Sequence, residues 1–173
     1  MASYDEKKTK KTYFRNRIDG GRRIELEEKH TTESSLLRIF FKRYPGVLPI
    51  KIETSILEKV LDFCERRGQI KKLYAVHDEN LLQQELNHFD SNFRKQYQNQ
   101  DDAIALVKAA ARLDIKSLYD VLFEDVVDMI DKKTAQEIDN IFTIRYNGDD
   151  HRLRIMEHVL DTILPDWAWK EVV

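Results

Sequence analysis

The first regular pattern along the chain has a period of two. In RRIELEE, Ile24 and Leu26 alternate with Arg23, Glu25 and Glu27, the repeat of a half-buried strand. TYFRNRI precedes it, and Asp19-Gly20-Gly21 stands between the two arms. Asp-Gly and Gly-Gly pairs tolerate the positive φ angles of tight hairpin turns, so the spacing predicts a β-hairpin. The period then changes. Thr32 to Tyr44 carries Leu36, Leu37, Phe40 and Phe41 at helical spacing, and Pro45-Gly46 stops it. A short extended run, VLPIKI, follows. Ser55 and Glu58 form an S-x-x-E capping box, which opens a helix with Ile56, Leu57, Val60, Leu61 and Cys64 inward and its end expected at Gly68.

Between residues 68 and 100 the pattern is weakest. GQIKKLYAVH reads as a loop and ENLLQQELNHF has some helical periodicity, so an irregular connector with one short helix is expected. Regularity returns in the alanine-rich DDAIALVKAAARL, where Asp101 and Asp102 suit the positive end of a helix dipole. Asp114 is expected to start a second helix. On its wheel Ile115, Leu118, Tyr119, Leu122, Phe123, Val126, Val127, Met129 and Ile130 cover about half the circumference, wider than a surface helix needs. Thr134 and Glu137 form another capping box. Beyond it Ile138, Ile141 and Phe142 sit at i, i+3 and i+4, followed by Ile144. A last amphipathic helix is expected from His151 to Leu164, and Trp167 and Trp169 come after Pro165. Either these elements cover one another in a helical core, or some of the surplus apolar surface docks a partner.

Composition narrows the reading. At 173 residues the chain fits one domain, with residues 1–11 read as a disordered basic tail because they are charged and nearly free of aliphatics. KKTKK within that tail is a solvated charge run before it is a nuclear-import patch. A net charge of -2 gives no pull toward nucleic acid or membrane surfaces. No apolar run is long enough to span a bilayer, and the opening residues lack a secretion signal's apolar stretch. The single cysteine, Cys64, excludes an internal disulfide framework and suits a reducing compartment, so cytoplasm and nucleus are expected. It lies on an apolar stripe, which favours a buried structural thiol over a nucleophile. The five histidines show no H-x-x-x-H spacing, and there is no glycine-rich phosphate loop; neither an enzyme nor a cofactor is expected.

Particular motifs resemble a known family. AA-x-x-LDIK-x-L at 109–118, V-x-x-MI at 126–130 and KT-x-x-EI-x-x-x-F-x-I at 133–144 are similar to the C-terminal half of the Skp family, the F-box-binding adaptors of cullin–RING ubiquitin ligases. SSLL at 34–37, LPI at 48–50, SILEKVLDFCE at 55–65 and the terminal WAWKE resemble the rest of that family's pattern. The resemblance implies an α+β, BTB/POZ-type core of three short strands and helices over 12–114, followed by a helical F-box-binding region over 115–173. It implies F-box proteins and a cullin N-terminal domain as partners. Exposed apolar helices would favour a homodimer when no partner is bound. By motif position the F-box-facing candidates are Val126, Ile130, Ile138, Ile141, Phe142, Ile144 and Trp167.

The chain departs from the family pattern in three places. The family carries Asn-Tyr at its cullin contact, where this chain has Ala111 and Arg112. The family connector is strongly acidic, whereas this one holds Lys71 and Lys72. The proline that some members modify after the Lys-Thr pair is Ala135 here. Two functions therefore compete. One is an adaptor bridging F-box receptors to a cullin; the other is a diverged, self-associating assembly protein of a chromosome or kinetochore complex that no longer binds a cullin.

Overall fold

The structure is a computed structural model that describes residues 11–16, 22–76, 78–98, 100–134 and 137. Expectations for the basic tail through residue 10, for the turn at Asp19-Gly20-Gly21 and for the helices beyond Glu137 lie outside the described residues.

β1 (Thr12–Asn16) is the centre of a three-stranded sheet. It pairs antiparallel with β2 (Arg23–Leu26), Phe14 opposite Ile24, as the hairpin pattern predicts. On its other side it pairs parallel with β3 (Gly46–Ile50), Phe14 opposite Leu48. Alternate β1 residues Thr12, Phe14 and Asn16 are buried, so one face of the strand closes on the core. Lys11 does not belong to a free tail: its carbonyl accepts from Gly46 N at 3.1 Å, and its ammonium reaches Glu25.

A parallel β1–β3 pair requires a crossover, and α1 (Ser35–Arg43) lies within it. Ser34 caps α1 by accepting from Leu37 N at 3.0 Å. α2 (Thr54–Tyr74) buries Ile56, Leu57, Val60, Leu61, Phe63 and Cys64. Burial pushes the Cys64 thiol far up from its ordinary value, as suits a structural thiol. The expected Ser55–Glu58 capping box is absent. The helix starts one residue earlier, at Thr54, and its first turn closes through Leu57 N to the Glu53 carbonyl at 2.9 Å.

The connector expected over 68–100 is a correction of larger scale. α2 runs through Gly68 to Tyr74, and α3 (Glu79–Tyr97) follows as a 19-residue helix. Gly68 is not a helix stop here but a contact point. A Cβ built on it would lie 2.7 Å from Thr32 Oγ1 and 3.1 Å from Thr32 Cβ. Gly68→Ala is therefore expected to destabilise by about 1–3 kcal/mol through overpacking, despite alanine's better helix propensity. A thermal melt of the variant checks this, and a melting temperature at or above the native one would contradict it. α3 docks through aromatics one turn apart. Phe89 and Phe93 flank Phe63 at 5.5 and 4.9 Å between ring centroids, and Tyr97 continues from Phe93 at 4.8 Å.

α4 (Asp101–Arg112) and α5 (Lys116–Asp131) pack on each other and complete one continuous core with α2 and α3. Asp101 and Asp102 occupy the first turn of α4 as expected, and Asp102 is also ion-paired with Lys59 of α2. Thr134 and Glu137 form the second capping box: Glu137 accepts from Thr134 N at 2.8 Å, and Thr134 Oγ1 accepts from Glu137 N at 3.3 Å. The result is a mixed α/β fold with a three-strand sheet and, among the described residues, five α-helices.

Candidate functional site

Two of the sequence motifs, SSLL and LDIK, meet at the turn between α4 and α5. Asp114 does not start α5; it ends α4 in the left-handed region at φ 54°. Ile115 N donates to the Ala110 carbonyl at 2.9 Å and Asp114 N to the Ala111 carbonyl at 3.4 Å. These are the paired bonds of a Schellman end, in which Asp stands where Gly is usual. Ile115 is fully buried behind them.

The start of α1 fastens this turn from outside. Ser34 Oγ donates to the Leu113 carbonyl at 2.5 Å, and Ser35 Oγ donates to Asp114 Oδ2 at 2.5 Å. Ser117 Oγ, in the first turn of α5, donates to Glu33 Oε2 at 2.7 Å. The SSLL and LDIK motifs, some 80 residues apart in sequence, are thus in direct contact. Two further donors converge on Glu33: Arg67 Nη1 at 2.8 Å and Lys71 Nζ at 2.6 Å. Arg67 also forks onto Asp90 of α3 at 3.0 and 3.1 Å. Burial alone would raise the Glu33 carboxyl, but the bonds from Lys71 and Ser117 and the charge of Arg67 outweigh it and hold it below its ordinary value. Lys71, a departure from the acidic family connector, is thereby a structural cation.

Ala111 and Arg112, the cullin-side candidates, are half-buried at the end of α4. Arg112 Nη1 donates to the Lys51 carbonyl at 3.0 Å, tying α4 to the segment after β3. The groove alongside is lined by Ile52, Glu53, Ile56, Ala105, Lys108 and Arg112. Burial, then the charge of Arg112, lowers the Lys108 ammonium from its ordinary value.

On α5 the candidates separate. Val126 is 3% exposed and belongs to the core, which does not fit a residue already presented to a partner. Its neighbour Val127 is 37% exposed and was not singled out as partner-facing from the sequence. A 3.6-residue wheel does not tell which edge of a wide apolar stripe is covered by neighbouring helices. Ile130 lies in the last turn of α5. Ile138, Ile141, Phe142, Ile144 and Trp167 lie outside the described residues. Among the described residues no set of histidine, cysteine and carboxylate side chains is arranged to hold a metal ion, and no helix is long and apolar enough to cross a membrane.

A three-strand sheet under helices, with an α4–turn–α5 unit locked to the start of α1, is a BTB-type α+β scaffold. No family model matches the chain. It is similar to SKP1-like protein 12 of Arabidopsis thaliana, 35% identical over 100 residues covering 57% of this chain and 60% of that protein. The SCF ubiquitin ligase complex protein SKP1a of Dictyostelium discoideum is 38% identical over 103 residues, 58% of this chain and 61% of the relative. SKP1-like protein 20 of Oryza sativa subsp. japonica is 29% identical over 140 residues, 72% of this chain and 79% of the relative. The first of these alignments spans about 60% of the relative's length. The chain is thus similar to SKP1-like proteins over a little more than half of its length.

Proposed function

We propose that the chain is a non-catalytic adaptor of an SCF-type ubiquitin ligase, joining F-box substrate receptors to a cullin. The likeness to relatives named as SCF complex proteins, 38% identical in one case, supports this reading most directly. The adaptor makes and breaks no bonds. It buries apolar surface of its C-terminal helices against the receptor, with Ile130, Ile138, Ile141, Phe142, Ile144 and Trp167 as candidates. The end of α4 faces the cullin, and the rigid α4–α5 turn fixes the geometry between the two. Such an adaptor works in the cytoplasm and nucleus. Affinity purification of the full chain, scored separately for F-box proteins and a cullin, tests it; recovery of neither contradicts it.

Arg112 favours a second reading, in which the F-box side is retained and the cullin is not bound. Its guanidinium replaces an aromatic anchor of the family and is engaged by the Lys51 carbonyl. On this reading Arg112→Tyr is expected to strengthen binding to a cullin N-terminal domain by about tenfold or more, the scale of one interface hot spot. Surface-immobilised titration of both proteins distinguishes the readings: tight native binding, unimproved by the substitution, removes the second.

A further inference from the structure

Two exposed helix faces of opposite charge stand on this one chain. α1 turns Arg38, Ile39, Lys42 and Arg43 outward within one face, and exposed Tyr44 and Val47 follow it. Ile39 is 43% exposed and Tyr44 is 53% exposed, so the basic residues border a bare apolar strip. α5 turns outward Asp120, Glu124, Val127, Asp128 and Asp131, spaced i, i+4, i+7, i+8 and i+11. Lys116 neutralises Asp120 at 2.8 Å, and Arg94 of α3 is held by the buried Asp125. With Arg94 set against Asp125 and exposed Lys132 against one of Glu124, Asp128 and Asp131, the face around the exposed Val127 keeps a net negative charge.

We propose that the α1 face of one copy docks on the α5 face of a second copy, head to tail. The two faces are opposite in sign: α1 sets three cations beside the exposed Ile39, and α5 sets carboxylates in net surplus beside the exposed Val127. Pairing a face with itself would set like charges against each other, which disfavours a two-fold dimer through either helix alone. A head-to-tail contact leaves one free α1 face and one free α5 face on every assembly, so association continues beyond two copies as concentration rises. The contact is small and charge-driven, so it is weak and lost at high salt. Nothing in it depends on an F-box protein or a cullin.

Sedimentation equilibrium of the full chain tests this with two charge-reversed variants. One carries Arg38→Glu, Lys42→Glu and Arg43→Glu; the other carries Glu124→Lys, Asp128→Lys and Asp131→Lys. The native chain is expected to exceed its monomer mass of 20.6 kDa at low salt and to return to it at about 0.5 M salt, where screening is nearly complete. Each variant alone is expected to stay monomeric, because its two faces then share one sign. Their equimolar mixture is expected to associate again, since each variant supplies the face the other needs. A native chain that stays at monomer mass at low salt overturns the proposal, as does a mixture that remains monomeric while both variants melt like the native chain. If either triple variant fails to fold, the single pair Lys42→Glu and Asp128→Lys is read the same way, with a partial rather than full loss in each alone.

Discussion

Phe63→Ala is expected to cost about 3–5 kcal/mol of folding stability, the largest effect of any single truncation considered. Phe63 is fully buried, and it is where the sheet-side core meets α3. Its ring is shared by Phe89 and Phe93 at 5.5 and 4.9 Å, so truncation leaves two aromatic partners facing a cavity on one side. Those partners lie on one face of a continuous helix and have little freedom to collapse into the gap, which puts the cost toward the upper part of that range. Against a total stability of about 5–15 kcal/mol this is a large fraction. For a chain of this size it lowers the melting temperature by about 10 °C. Calorimetry of the variant checks it, and a shift of only a degree or two would mean that α3 is not anchored as described.

Glu33→Ala is expected to cost about 3 kcal/mol, the lower end for breaking a buried ion pair. The lower end applies because the cations left behind have other recourse. Lys71 has a side chain 38% exposed and can turn to water, and Arg67 retains its fork on Asp90. The Glu33 side chain itself is only 2% exposed, so its two salt bridges are poorly screened. The pH dependence has a definite sign. A carboxyl held below its ordinary value of 4.5 contributes stability that is present above that value in the unfolded chain. That contribution is lost as pH falls through the lower folded value. The native chain should therefore lose stability on acidification below about pH 4.5 more steeply than the Glu33→Gln variant, which has no carboxyl to protonate. Urea unfolding at neutral and acid pH measures both curves. Parallel curves would exclude Glu33 as the source of the acid limb.

Where hydrophobic period and local chemistry agreed, the sequence was a sufficient guide. The hairpin arms, α1, the strand at LPI, the α4 start and the Thr134–Glu137 box all follow from short-range pattern. The errors arise where a long-range contact overrides a local signal. Gly68 looks like a stop because glycine is a poor helix former, yet Thr32 packs against it and the helix continues. α3 has a polar exterior, and its aromatic face at Phe89, Phe93 and Tyr97 appears only once Phe63 is known to oppose it. Asp114 carries an N-cap residue type but serves as a left-handed helix end, because Ser35 and the Schellman bonds hold it there. The candidate site was legible as motifs but not as a structure. SSLL and LDIK were visible separately, whereas their contact through Ser34, Ser35 and Ser117 is a product of the fold. Val126 and Val127 adjoin in sequence, and only packing decides which of them is exposed.

The adaptor reading rests on docking of an F-box segment by the C-terminal helices. Isothermal titration of the full native chain with a purified F-box segment, beside Ile130→Asp and Phe142→Asp variants, is the direct test. Saturable binding by the native chain is expected, with affinity lowered at least a hundredfold in each variant, about 2.7 kcal/mol, and with melting of the described core unchanged. No heat of binding from the folded native chain would contradict the adaptor function, and equal affinity in all three proteins would remove Ile130 and Phe142 from the docking surface.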